Sequence, residues 1–132
     1  MSTPFTKMHG LGNDFVVFSD LHSKKKFKPT RALAIEICKP NFGVGADQIL
    51  HIVKPRDRRA HARMEVWNSD GSRSEMCGNG LRAVGLFLRN RNHRSKKKLL
   101  IETAKSIQEI TFQGKNIAVN MGVAEVSETA RS

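Results

Sequence analysis

Between Arg63 and Leu88 the hydrophobic period of the chain changes once, and that change limits the folds open to it. Arg63-Met-Glu-Val-Trp67 alternates with the period of a strand, whereas Leu81, Val84 and Leu88 recur with the period of a helix and Phe87 widens the stripe. The junction is Asn68-Ser-Asp-Gly-Ser-Arg-Ser-Glu-Met-Cys77-Gly-Asn-Gly80, which places Cys77 on the turn that opens the helix. A thiol there feels the unpaired N–H groups and the positive end of the helix dipole, and both favour the thiolate. Gly78 and Gly80 carry no side chain to keep a ligand from the backbone, so the amides of Gly78 and Asn79 can receive a carboxylate. The same residues have a plainer reading, because a lone Cys is usually a small buried hydrophobe and Gly-Asn-Gly is usually a turn.

At 132 residues the chain has room for one domain with a genuine core. Hydrophobic residues make up 39% and charged residues 27%, which excludes a disordered chain. No run approaches the roughly 20 apolar residues of a membrane helix, and Met-Ser-Thr-Pro-Phe-Thr-Lys lacks a signal-peptide core, so a cytoplasmic location without membrane contact is expected. Cys38 and Cys77 have no metal-binding spacing and suggest no disulfide framework. The histidines, too, show no spacing suited to a metal. A net charge of +11 invites a nucleic-acid partner. The distribution argues against one as the main function: Lys24 to Lys26, Arg56 to Arg63 and Arg89 to Lys98 fall in expected loops or at a helix end. Tyr is absent and Trp67 is the only Trp, so no stacking platform accompanies the charge.

In chain order, Phe5 to His9 and Phe15 to Phe18 read as two strands around a glycine turn. Asn13 at the end of that turn reads as a turn residue bonded to its own backbone. Thr30 is placed to cap a helix reaching Cys38, with Leu33, Ala34, Ile37 and Cys38 on one face. Asp47 and Gln48 open the strand that ends at Val53; they serve either as a polar strand cap or, through Gln48, as an amide aimed into a cleft shared with Cys77. Residues 54–62 form a charged hairpin loop. The expected strands are 4–9, 14–19, 47–53, 62–68, 98–103, 107–113 and 116–121, with helices over 30–38 and 78–90, the second central and largely buried. Together they make one α/β (α+β) domain over residues 1–122, followed by a tail at 123–132.

Four segments in this order, Met8-His-Gly-Leu-Gly-Asn-Asp-Phe15, Phe42-Gly-Val-Gly-Ala-Asp-Gln48, Asn68-Ser-Asp-Gly71 and Met76-Cys-Gly-Asn-Gly80, resemble the N-terminal half of diaminopimelate epimerases. Val119-Asn-Met-Gly122 fits the end of that half. The resemblance implies a curved mixed sheet wrapped around a central helix, in a protein of two such pseudo-symmetric domains with the site between them. It implies epimerisation of LL-diaminopimelate to the meso form, in lysine and peptidoglycan precursor synthesis, without pyridoxal phosphate, metal or other cofactor. One Cys removes the α-proton and a second, on the opposite face, returns one. By resemblance Cys77 is one of the pair, Gly78 and Asn79 hold the α-carboxylate, and Asn13, Gln48 and Asn68 contact polar groups of the substrate. That displaces the turn-only reading of Asn13.

The family's second half, with its own Cys and an acidic-basic pair for the substrate, has no counterpart here. Ser106 also stands where family members commonly carry Gly. Three states follow as expectations: a folded but inactive half, which is favoured, a half completed by a separate C-terminal domain, or a homodimer associated across the cleft face. The competing functional class is a basic binding module for nucleic acid or another acidic partner.

Overall fold

The computed structural model describes residues 5–9, 12–21, 26–40, 43–74, 78–91, 97–114 and 116–120. In chain order the elements are β1 (Thr6–His9), β2 (Asp14–Ser19), α1 (Arg31–Cys38), β3 (Gln48–Val53), β4 (Ala62–Asn68), β5 (Arg73–Ser74), α2 (Gly78–Arg91), β6 (Lys98–Glu102), β7 (Ile107–Gln113) and β8 (Asn116–Asn120). One sheet holds all eight strands in the order β1-β2-β3-β4-β6-β7-β8, with β5 paired to β4. The β2–β3 and β4–β6 pairs are parallel and the others antiparallel, so the sheet is mixed.

Period-2 alternation assigns the two faces. Phe15, Val17, Leu50, Ile52, Ala62, Met64 and Val66 point to one side, where Leu81, Val84, Phe87 and Leu88 of α2 join them in the main core. Val16, Phe18 and Ile49 point to the other, against Phe27 and against Ala34 and Cys38 of α1. α2 contacts β2, β3 and β4 and also β7 and β8. On a flat sheet β2 and β8 would stand five spacings apart, about 24 Å, whereas a helix is only ~10–12 Å across. The sheet therefore curls around α2. Close approach is helped at Gly85, where an added Cβ would lie 3.0 Å from Ile110 Cγ2.

Local chemistry accounts for the element ends. Thr30 Oγ1 accepts the Leu33 amide at 3.1 Å and caps α1. At the other end of α2, Arg91 donates to the Phe87 carbonyl at 3.3 Å and lies over the Phe87 ring, as a cation suits a helix C-terminus. The charged connection after β3 is anchored by Glu102: its Oε1 accepts the amides of Arg56 and Asp57 at 2.9 and 2.8 Å, and its Oε2 pairs with Arg63.

The expected elements are present, with differences at the edges. Asp47 and Thr103 fall just outside their strands, α2 runs one residue further, to Arg91, and β5 was not expected because two residues carry no readable period. Leu33 does not share the buried face of α1; it is 37% exposed, while Ala34 and Cys38 are buried. Residues 4 and 121 and the tail at 123–132 lie outside the described residues. Among the described residues no helix is long and apolar enough to cross a membrane.

Leu88 is 1% exposed in the main core, whereas Leu86 on the same helix is 37% exposed. In urea titrations Leu88→Ala is expected to cost about 2–5 kcal/mol and Leu86→Ala less than about 1 kcal/mol. Equal costs would contradict the central placement of α2. Burial pushes the Glu102 carboxyl up, but the Asp57 amide, the Arg63 guanidinium and the Arg56 amide outweigh it and hold it below its ordinary value. A lowered carboxyl contributes stability above its unfolded value and loses it as pH falls through its folded value. The stability gap between the native chain and Glu102→Gln is therefore expected to be constant near neutrality and to shrink below about pH 4. A gap that persists unchanged into acid would remove Glu102 from this role.

Candidate functional site

Three amide residues come to one end of the sheet because three strand ends lie side by side there. β2 starts at Asp14, directly after Asn13; β3 starts at Gln48, which pairs with Phe15; β4 ends at Asn68, which pairs with Gln48. Asn13, Gln48 and Asn68 are each partly exposed. Gln48 Nε2 donates to Asn68 Oδ1 at 2.8 Å, Asn68 Nδ2 donates to Ser72 Oγ at 2.9 Å, and the Ser72 hydroxyl donates to Asp70 Oδ1 at 2.6 Å. The Ser72 hydroxyl and amide hold the Asp70 carboxyl below its usual value. An ionised carboxylate only accepts, so Ser72 must donate to it, Asn68 must turn its NH2 to Ser72, and its carbonyl is left for Gln48. One carboxylate thus fixes the orientation of both amides.

Backbone geometry closes the same turn. The Asn68 amide donates to the Ser72 carbonyl and the Gly71 amide to the Asn68 carbonyl, at 2.8 and 2.9 Å. Gly71 has φ +86°, and an added Cβ would lie 2.9 Å from the Arg31 carbonyl oxygen. On the neighbouring strands the Asp14 amide donates to Asp47 Oδ2 at 2.8 Å, and the Asp47 amide donates to the Asp14 carbonyl at 2.9 Å. Asp14 Oδ1 also meets His9 Nδ1 at 2.6 Å. These contacts tie the segment carrying Asn13 to the start of β3. Asp47 is thus a strand cap, while Gln48 turns toward Asn68.

α2 begins at Gly78, which is exposed and, among the described residues, has nothing within 4 Å of where a side chain would start. Its N–H and that of Asn79 lie in the first turn of the helix, at the positive end of its dipole. Four residue steps separate Gly78 from Ser74, so α2 starts within about 14 Å of β5. β5 pairs beside Val66 and Trp67, next to Asn68. Cys77, expected on this turn, lies outside the described residues. Cys38 is buried in the α1 core, and burial followed by the nearby Asp47 charge pushes its thiol up, which suits packing rather than proton transfer. Among the described residues, no group of three or more His, Cys, Asp or Glu side chains gathers to hold a metal ion.

Residues 5–127 match the diaminopimelate epimerase family. The chain belongs to that family. It is 40% identical over 124 residues to the diaminopimelate epimerase of Teredinibacter turnerae, covering 93% of this chain and 44% of that protein. To the diaminopimelate epimerase of Xanthomonas euvesicatoria it is 43% identical over 122 residues, covering 92% and 42% respectively. The chain therefore spans less than half the length of these relatives. Among solved structures it is similar to a hydroxyproline epimerase of Agrobacterium vitis, with TM-score 0.67, 14% identity, and 89% of this chain and 40% of that one covered. A phenazine biosynthesis protein PhzF family member of Enterococcus faecalis gives 0.60 at 16% identity, covering 80% and 36%. These two likenesses concern the fold.

Sequence reading missed Ser72 and Asp70 as the groups that orient Asn68, and Asp14 as the partner of Asp47. The signal for the first was present, since Asp-Gly-Ser is turn chemistry in which an Asp side chain bonds the amide two residues on, as Asp70 does to Ser72 at 2.9 Å. Gly71→Ala is expected to cost at least about 1–2 kcal/mol in urea titrations, because the left-handed conformation and the Arg31 carbonyl both oppose a side chain. It should also move the Asn68 side-chain amide resonances. Unchanged stability and unchanged resonances together would show that the turn does not constrain Asn68.

Proposed function

We propose that this chain is one half of a cofactor-independent epimerase acting on the α-carbon of diaminopimelate, with a second domain supplying the other half. The observation that carries the reading is the row of Asn13, Gln48 and Asn68 at one sheet end, near the exposed start of α2, in a chain of this family. In this reading the α-carboxylate lies on the amides of Gly78 and Asn79, where a helix N-terminus favours an anion. Asn13, Gln48 and Asn68 hold the amino and carboxylate groups so that the α-hydrogen faces Cys77. The Cys77 thiolate takes that proton and becomes a thiol, the electron pair stays on the α-carbon, and a thiol of the second domain delivers a proton to the opposite face. No electrons are gained or lost overall.

Magnitudes explain why half a site does not suffice. A helix N-terminus contributes at most about 2 kcal/mol, enough to bring a thiol from about 8.5 to about 7. That supplies thiolate at neutral pH but leaves an amino-acid α-proton far too weakly acidic. The remainder must come from a dry, closed cleft whose fixed amides stabilise the charge spreading into the carboxylate. Closure and the second proton donor both belong to the second domain. On this reading residues 1–122 are the N-terminal domain and 123–132 its tail.

The decisive measurement is α-proton exchange from diaminopimelate in deuterated water. The chain alone is expected to show none, and exchange should appear when the C-terminal domain of a relative is added. Cys77→Ala should then lower it by at least about 10²-fold, the low end for a lost general base, while Cys38→Ala should leave it within about twofold. Exchange that survives Cys77→Ala would overturn the assignment of the base. Full turnover by the chain alone would overturn the half-site.

A further inference from the structure

At the far end of β3 and β4 from Gln48 and Asn68 lies an open cleft of about 880 Å³, between the connection after β3 and the turn after β6. Arg63 on its wall is five residues from Asn68 along β4, about 17 Å at ~3.4 Å per residue. The lining carries Arg56, Arg59, Arg63 and Lys105 against Asp57 and Glu102, a formal balance of four positive and two negative charges, or +2. Both carboxylates are already engaged. Asp57 accepts from Arg59 Nε and Nη2 at 3.1 and 2.8 Å, and Glu102 is taken up by the amides of residues 56 and 57 and by Arg63. The floor is rigid because Arg63 is also held by Glu65 at 3.4 Å and is only 12% exposed. Arg56, Arg59 and Lys105 stand exposed at the rim.

These cations come from three segments: the connection after β3, strand β4 and the turn after β6. Spread over separate segments, they can be engaged together by an anion that carries more than one charged group, as a diphosphate does. Among the described residues no aromatic side chain lines the cleft, so none of them would stack a base there. Its volume is that of a small-molecule site. We propose that this cleft binds a small phosphate-bearing anion carrying two or more phosphate groups, at a site separate from the Asn13–Gln48–Asn68 end. The proposal does not depend on the epimerase reading.

The test is calorimetric titration of the full chain with inorganic pyrophosphate at near-physiological ionic strength, with amide NMR to locate the contact. One equivalent should bind with Kd below about 1 mM. Shifts should centre on residues 56–59 and 104–106, with residues 13, 48 and 68 unmoved. Arg56→Ala and Lys105→Ala should each weaken binding about tenfold, Lys105→Glu more, and Lys39→Ala by less than about twofold; each variant's fold is checked by urea titration. Absence of binding, or equal weakening by Lys39→Ala, would overturn the proposal, since diffuse positive charge would then explain any effect. A single-stranded RNA oligonucleotide that binds and is not displaced by pyrophosphate would overturn it in favour of a nucleic-acid surface. Displacement of the oligonucleotide by pyrophosphate would support the phosphate site.

Discussion

The register of β3 on β4 organises the molecule from end to end. Gln48 opposite Asn68 and Val53 opposite Arg63 fix six residue pairs. Because the side-chain period is two, a slip of β4 by one residue would turn Met64 and Val66 away from α2 and present Glu65 to it. Each buried apolar side chain on the α2 face contributes about 1.5–3 kcal/mol, so the correct register is favoured by several such contributions at once. The same register places the amide pair at one end and the Arg63–Glu102 pair at the other. The amide end follows from this pairing, and the Arg63–Glu102 end from it together with the β4–β6 pairing.

Carboxylates anchor the irregular segments that the ladder leaves without partners. Glu102 takes two amides of the connection after β3, Asp70 takes the Ser72 amide, Asp47 takes the Asp14 amide, and buried Asp20 takes the Phe27 amide with both oxygens. Asp20 also meets His51 Nε2 at 2.6 Å, which ties the segment before α1 to β3. In a chain of net charge +11 only 12 acidic residues are present, and several of those described spend their charge on backbone donors. A charged acceptor binds an amide more strongly than a carbonyl does, so a few carboxylates hold long connections in place.

Much of this was legible in the sequence because it follows from period. Leu81, Val84 and Leu88 announced the buried stripe of α2, and the alternation over 62–68 announced β4 together with the face it buries. Thr30 was readable as a cap because its chemistry is local. What could not be read is what depends on the sheet order: that β6 lies against β4, and that Arg63 therefore meets Glu102 across 39 residues. Leu33 misled because a helical stripe does not show how wide the core beneath it is: the second core buries Ala34 and Cys38 and leaves Leu33 37% exposed. At the candidate site the residue types were legible, and their directions were not. Nothing in Asn68 itself says which way its amide turns; Ser72 and Asp70 decide that through contacts only the folded turn creates.

That direction bears on chemistry more than on stability. An amide fixed by a neighbour does not have to reorganise when charge develops beside it, and it loses no rotamer freedom at that moment. Asn68 reached through Ser72 from a carboxylate, and Gln48 reached through Asn68, are oriented before any ligand arrives. Disturbing Asp70 would therefore leave the apolar core of α2 and the sheet intact while removing the group that orients Asn68 through Ser72. The fold and the precision of the site are thus held by different forces in different places: apolar burial around α2 sets the first, and a single chain of directed hydrogen bonds at the end of β4 sets the second.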